Sequence, residues 1–530
     1  MAVFELVILL LLIGAVLALT ANRLAVPYPA LLAPAGALLA LLPGAPHITL
    51  DPQLALALFV APVLLDAAYD ASPRDLKDNI RALLMLALVV VILTVVAVAV
   101  VTRALVPGIG WAAAVALGAI VAPPDASAAT AVLRRLRPPH RLLVILEGES
   151  LFNDASALLI YRIAVGAATT GAISGWLYAP LLLTCGGGVL AGIVLARCYI
   201  WLTRAVTDIP ISVILQFVGT FAVWLIADRI GLSAILTVVS YAMTIAQCVP
   251  GRIDARHRIA SYAVWEVAVF VLNVLAFVLI GLQLRTIVAH LRQSDWHTYL
   301  ICAGAICLTV ILVRVGWIML YGALVRWRVR RRGQHLGSTR APTVRAGLIV
   351  SWSGMRGIVT LAAALALPDG SPGAVFPYRD LIILCAFCVV LTTLVIQGMT
   401  LRPLLALAGL KDDGSVEREI LLARAETARA VLHEFAREEQ HPALDVLRNE
   451  YTARIRTTEQ ARSQRGEITR ETPMTRLQQR AIGVQRQVLL DLRRRGTIGD
   501  DAFHAAEEEI DLLELTADGR IKPGPEGSES

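Results

Sequence analysis

The chain is expected to be an all-α polytopic membrane protein. It should hold about thirteen transmembrane helices with inverted repeats and two broken helices, plus a helical cytoplasmic tail. Three observations predict this. Of 530 residues, 57% are hydrophobic and 17% charged, where a soluble chain carries about a quarter charged residues. The mean hydropathy is +0.68. Up to Leu410, apolar stretches recur at roughly the twenty-residue length that a helix needs to cross a ~30 Å hydrocarbon core. Beyond Lys411 the sequence turns to Glu and Arg. The expected division is a transmembrane domain over 1–410 and a cytoplasmic helical domain over 411–530 with a disordered end.

The spans are placed near 3–20, 26–43, 52–70, 82–103, 111–133, 141–166, 177–203, 210–228, 231–249, 260–281, 297–325, 344–367 and 379–402. The first lacks a basic leading segment and a small-residue cleavage site, so it reads as an uncleaved helix, not a signal peptide. Loop charge sets the orientation. One set of loops carries Arg23; Arg74, Lys77 and Arg81; Arg134, Arg135, Arg137 and Arg141; Arg204; Arg252, Arg256 and Arg258; and the run from Arg326 to Arg345. The alternate loops carry Arg103, Arg229, Arg285, Arg292 and Arg379. The richer set faces the cytoplasm, which places the N-terminus outside and the tail inside. This distribution also accounts for the net charge of +7 without nucleic acid. Cys385-x-x-Cys388 lies in an apolar span without a βαβ setting, so it reads as two small apolar residues.

Two spans are interrupted. The fifth contains Ala122-Pro-Pro-Asp125, and adjacent prolines remove donors and disfavour helix geometry just before them. The twelfth contains Ser351-Trp-Ser-Gly-Met-Arg-Gly357. The breaks are an odd number of spans apart, so the two segments run in opposite directions. Interrupted helices at matching positions of inverted halves point to the binding site of a transporter.

The sixth span holds Glu147-Gly-Glu-Ser-Leu-Phe-Asn-Asp154. An ionisable group at membrane depth is expensive and marks function. At about 3.6 residues per turn, Ser150 and Asp154 share a helix face. Glu147 lies near that face two turns toward the cytoplasm, Asn153 adjoins it, and Glu149 points away. Asp125 follows the double proline at the start of a half-helix, where the positive dipole end favours a carboxylate. Asp66 lies within the third span, with Asp70 nearer its cytoplasmic end. Arg356, in the twelfth-span break, is the cation available to offset Glu149 or exposed half-helix carbonyls. Glu266 is a further intramembrane acid without an assignment. Carboxylates, a hydroxyl and free carbonyls make a hard-oxygen site for Na⁺ or a similar cation. A carboxylate there could instead carry a proton, and mutually exclusive occupancy is the minimum chemistry of an antiporter.

The run from Glu147 to Asp154, the Ala122-Pro-Pro-Asp125-Ala stretch, and Gly354-Met-Arg-Gly357 with the Ala/Leu-rich run to Pro368 resemble the cation:proton antiporter-1 family, the NhaP/NHE-type Na⁺/H⁺ exchangers, in a bacterial-type member with a short tail. Pro62-Val-Leu-Leu-Asp66 is similar to its third-span acidic motif. The resemblance covers nearly all of the membrane domain. It implies thirteen helices, an inverted repeat, a homodimer and elevator-like alternating access. It implies a cation and proton carboxylate at Asp154, ligands at Ser150 and Asp125, support from Asn153, and a Glu149–Arg356 salt bridge. The cargo would be Na⁺, or Li⁺ or K⁺, exchanged for H⁺ across a bacterial inner membrane, with Na⁺ held by Asp154 and Asp125. Asn at 153 resembles the electroneutral branch. Asp66 is counted with the cation- and proton-binding residues. Two departures stand out: Pro124 replaces a common Thr and loses its hydroxyl, and Asp66 replaces the commoner Glu and is one methylene shorter, so that it would reach the ion through water.

In the tail, Leu421, Ala425, Ala428, Leu432 and Phe435 form one helical stripe. Further helices are expected from Met474 to Arg495, stopped by Gly496, and from Asp500, with Phe503, Ala506, Ile510 and Leu513 as its stripe. Pro523–Ser530 reads as disordered. No nucleotide or calcium motif, pore-loop repeat, or metal or nucleophile motif is present. The sequence therefore points to a transporter without a cofactor, not to an enzyme, a channel or a nucleic-acid-binding protein.

Overall fold

The computed structural model describes residues 2–24, 26–42, 51–136, 138–170, 178–249, 255–290, 296–332, 343–368, 376–410, 412–436, 442–463, 473–495 and 500–517. Among these residues the chain is helical and has no strand. The expected disordered end, Pro523–Ser530, and the expected stop at Gly496 lie outside the described residues. The described residues divide into two compact units, Met1–Asp412 and Asp413–Ser530.

The first unit holds α1 (Ala2–Leu24), α2 (Pro29–Ala40), α3 (Pro52–Asp70), α4 (Pro73–Asp78) and α5 (Ile80–Leu105). The fifth expected span is two pieces, α6 (Trp111–Val121) and α7 (Ala126–Leu136). Then come α8 (His140–Thr170), α9 (Tyr178–Leu202), α10 (Ile209–Ile230), α11 (Ala234–Cys248), α12 (Ala255–His290) and α13 (Trp296–Arg332). The twelfth expected span is also two pieces, α14 (Val344–Trp352) and α15 (Ile358–Leu365), and α16 (Arg379–Ala408) closes the unit. Among the described residues, nine helical stretches are long and apolar enough to cross a membrane. α2 and α11 are apolar but shorter. α8 has ample length but carries the acidic run, and α14–α15 is cut by its break. A count of thirteen thus goes beyond what length and composition establish.

Local sequence explains the ends. Ser72, Asp208, Ser233 and Thr343 each accept a backbone N–H with their side chain at a helix start, which satisfies donors that have no partner in the helix. Gly231 and Gly409 end α10 and α16 at positive φ, a conformation that is inexpensive only without a Cβ.

Two packing groups emerge. In one, α2 lies along α12, α9 along α11, and α11 against α3, with α1 and α10 at the margin. In the other, α5 and α8 flank α6, while α13 packs on α5, α14 and α16. Burial separates rim from core. Only 17% of the best span window in each of α9 and α10 is buried, against 72% in α6–α7 and in α16. The exposed faces of the rim helices carry leucine, valine and isoleucine, as a lipid-facing surface requires. The breaks therefore sit in the most enclosed part of the unit. Three π-helical stretches, Leu56–Val60, Met85–Val90 and Thr393–Gln397, interrupt α3, α5 and α16. Each lies against a broken helix or the acidic helix: the first packs on α15, and Ala87 in the second accepts from Ser156 of α8 at 2.8 Å. In the third, Thr393 accepts the backbone N–H of Arg356 at 3.1 Å.

The second unit contains α17 (Ser415–Phe435), α18 (Pro442–Ser463), α19 (Pro473–Arg494) and α20 (Asp500–Ala517). Leu421, Ala425 and Ala428 are buried where α17 meets α18. Ile482, Leu489 and Phe503 are buried in the α19–α20 hairpin, and Arg486 there reaches Asp511 at 2.6 Å. α18 was not expected from the sequence. Its apolar stripe is weak, and what supports it is the neighbouring helix: Arg448 donates to the carbonyl of Phe435 at 2.6 Å and Arg429 reaches Glu459 at 2.5 Å.

Candidate functional site

The two breaks meet. Residues 123–125 and 354–357 are both non-helical, and the backbone N–H of Asp125 donates to the carbonyl of Met355 at 2.7 Å. Proline explains the first break, because Pro123 and Pro124 cannot donate to the preceding turn. The last carbonyls of α6 consequently lack helical partners. Arg356 supplies them: its Nε donates to Val121 O at 3.1 Å and its Nη2 to Ala122 O at 3.4 Å, while Nη1 donates to Gly354 O. A guanidinium at a helix C-terminus also opposes the negative end of the helix dipole.

Asp125 caps the start of α7. Its Oδ1 accepts from the Ser127 backbone N–H at 2.9 Å and the Ser127 hydroxyl at 2.7 Å. The hydroxyl of Ser150 on α8 accepts from the Ala126 N–H at 3.4 Å. Asn153 Nδ2 donates to the carbonyl of Pro124 at 3.2 Å. Asp154 follows, buried, and interacts electrostatically with Asp125. Ser150, Asn153, Asp154 and Asp125 thus converge at the broken backbone of α6–α7. Asn153 Oδ1 is fully enclosed and has no hydrogen-bond partner. A buried acceptor left unsatisfied is unfavourable, so this oxygen is available to a cation or its water. Among the described residues no cluster of three His, Cys, Asp or Glu forms. The donors here are two carboxylates, an amide, a hydroxyl and carbonyls, a set that suits a hard monovalent ion.

The expected Glu149–Arg356 salt bridge does not form. Glu149 pairs with Arg314 of α13, with Nη1 on Oε1 and Nη2 on Oε2 at 2.9 Å. The reason is the break itself, since the α6 carbonyls take the Arg356 side chain, leaving Glu149 to a second arginine. Arg314 also caps α14, with Nε on Ser351 O at 3.2 Å and Nη2 on Val350 O at 3.1 Å. Glu149, Arg314 and Arg356 are all essentially buried. Arg314 was overlooked in the sequence, although an arginine at the middle of a 37-residue, largely apolar helix is itself a signal.

The two glycines of the Gly354-Met-Arg-Gly357 stretch have separate reasons. A Cβ at Gly354 would run into the Arg314 guanidinium, and one at Gly357 into the Asp125 carboxylate. Each is a point of close approach between the breaks and the charged groups they position.

The remaining acids have interactions of their own. Asp66 interacts electrostatically with Asp70, Arg134, Glu266 and Glu147. Glu147 accepts from Arg134 at 2.9 Å. Cys385 and Cys388 are free thiols, as are the other five cysteines.

Comparison with known proteins agrees with this fold. Residues 7–407 match the family described as sodium/hydrogen exchanger, transmembrane. A protein of Mycobacterium tuberculosis named as an uncharacterised Na⁺/H⁺ exchanger is 31% identical over 97% of this chain and 96% of its own length. A sodium, potassium, lithium and rubidium/H⁺ antiporter of Bacillus pumilus is 31% identical over 94% of this chain and 75% of its own. Among solved structures, the sodium proton antiporter MjNhaP1 of Methanocaldococcus jannaschii shares the fold. Its TM-score is 0.61 and its identity 20%, over 77% of this chain and 98% of that one.

Proposed function

We propose that this chain, which belongs to the sodium/hydrogen exchanger transmembrane family, performs secondary active exchange of Na⁺ for H⁺ by alternating access. The observation that carries this reading is a buried Asp154 beside a half-buried Asp125 at the meeting point of two broken helices. Asp154 is the carboxylate that holds either the cation or the proton. Asp125 and Ser150 are ligands and Asn153 supports them, its unsatisfied Oδ1 completing an oxygen set. Asp66, one methylene shorter than Glu, joins the cation- and proton-binding residues through water. Arg314–Glu149 and Arg356 hold the two breaks in register.

Exchange is electroneutral, one cation against one proton, as the resemblance of Asn153 to the electroneutral branch implies. K⁺ or mixed-cation exchange is a second reading, favoured by the broad cation range in the name of the Bacillus relative. The chain is a multi-pass protein of a bacterial inner membrane, with thirteen spans, a cytoplasmic C-terminal unit and a homodimeric assembly. Its role is pH and sodium homeostasis.

The test is transport in proteoliposomes carrying a pH dye. An outward Na⁺ gradient should drive proton uptake, insensitive to a clamped membrane potential, and Asp154→Asn should abolish it. Running Li⁺ and K⁺ in parallel separates the two cation readings. Undiminished activity in Asp154→Asn, or a conductance without coupled proton flux, would sink the assignment.

A further inference from the structure

Glu147 is the acid of the Glu147–Asp154 run that the centre leaves out. Its Oε1 accepts from Arg134 Nη2 at 2.9 Å and Nε at 3.3 Å. Arg134 stands near the end of α7, the half-helix that begins beside Asp125. The same guanidinium interacts electrostatically with Asp70 and Asp66 of α3, and Glu266 of α12 acts on Asp66. Carboxylates from α8 and α3 therefore act on one cation on α7, and Glu266 of α12 acts on the Asp66 among them. α7 and α8 belong to one packing group, α3 and α12 to the other.

The pair is not enclosed. The Arg134 and Glu147 side chains remain 53% and 24% exposed, and an ion pair of that exposure contributes little to stability. Its position is more informative. Glu147 precedes Asp154 by seven residues of continuous helix, roughly 10 Å along the axis. The cluster thus lies on the approach to the centre from the arginine-rich end of α8.

We propose that Arg134 is a tethered counter-ion that sets how readily a monovalent cation reaches the Asp154–Asp125 centre. Its guanidinium occupies an acidic vestibule, and an incoming cation competes with it there. This rests on the exchange reading above. The physical basis is local potential. A cleft lined by one sign of charge concentrates the opposite ion, a resident guanidinium subtracts from that field, and dissolved salt screens the effect. Glu147 holds the guanidinium in place and contributes the opposing charge.

The experiment is Na⁺-dependent proton movement by the full chain in proteoliposomes at low ionic strength and fixed pH. Arg134→Gln should lower the apparent KM for Na⁺ about five-fold, and Glu147→Gln should raise it about as much. The double substitution should return it to within about two-fold of wild type, Arg134→Lys should leave it unchanged, and maximum rates should hold. About 0.5 M choline chloride should collapse every difference. A purely structural pair predicts otherwise, with both single substitutions shifting KM the same way and the double no better. That pattern, or shifts that persist in high salt, overturns the proposal. A wild-type chain without Na⁺-driven proton movement overturns it together with the exchange reading, whereas an active wild type with KM indifferent to these substitutions overturns it alone.

Discussion

Arg314 and Arg356 are buried close together, and each is neutralised differently. Arg314 makes a forked ion pair with Glu149 and also caps two carbonyls of α14. Among the described residues Arg356 makes no ion pair with a carboxylate, although Glu149 acts on it electrostatically, and its donors go to the carbonyls of α6 and Gly354. A buried pair adds little net stability when whole, but removing one member strands a charge at about 3–5 kcal/mol. Arg314→Met should therefore lower stability by about that amount in thermal or denaturant unfolding in detergent, and adding Glu149→Gln should recover much of it. A loss below about 1 kcal/mol would show that Glu149 has another partner. The acids were legible in the sequence because spacing along one helix sorts their directions, and Glu149 was expected to face away from Asp154. The identity of its partner was not. Arg314 is 165 positions away, and no periodicity links two helices across such a distance. Arg356 drew attention because it lies inside a recognisable break, yet the carbonyls it would satisfy are exposed only once the course of that break is known.

At the scale of elements, the breaks were readable from their residues: proline cannot donate, and a glycine on either side of Met355-Arg356 disfavours an uninterrupted helix. Their mutual contact was not, because the Asp125–Met355 hydrogen bond joins segments far apart in sequence. The contact explains why Gly357 is glycine. Gly357→Ala would push a methyl group into the Asp125 carboxylate and turn it from Ser127. Transport rate should fall at least about ten-fold, since misplacement of a ligand by about 1 Å can cost far more than that. Gly304→Ala, where a Cβ meets open space, should leave it unchanged. Equal rates in the two variants would remove Asp125 from the centre. The π-helical stretches and α18 are the elements that sequence reading missed. A π turn differs from its surroundings by one hydrogen-bond register, which hydropathy does not encode. α18 owes its place to Arg448 reaching α17 and to Arg429 of α17 reaching back to Glu459, not to an apolar stripe of its own.

At the scale of the molecule, hydropathy alone disclosed the helical class and the positions of the apolar helices, because bilayer thickness dictates their length. The division of the first unit into two packing groups was hidden, since it depends on which faces meet. That division gives the centre its meaning: the broken helices and α8 belong to one group, and the acids of α3 and α12 to the other. A cation site carried on one group and approached past the other is what alternating access requires. Exchange as proposed requires cation and proton to occupy Asp154 in turn, and proton release from purified protein in a weakly buffered detergent solution at the pH of half-maximal transport reads this out. Addition of saturating Na⁺ should release protons from the wild type, up to about one per chain, and none from Asp154→Asn. Equal release from both proteins, or Na⁺ binding by the wild type without release, would contradict it.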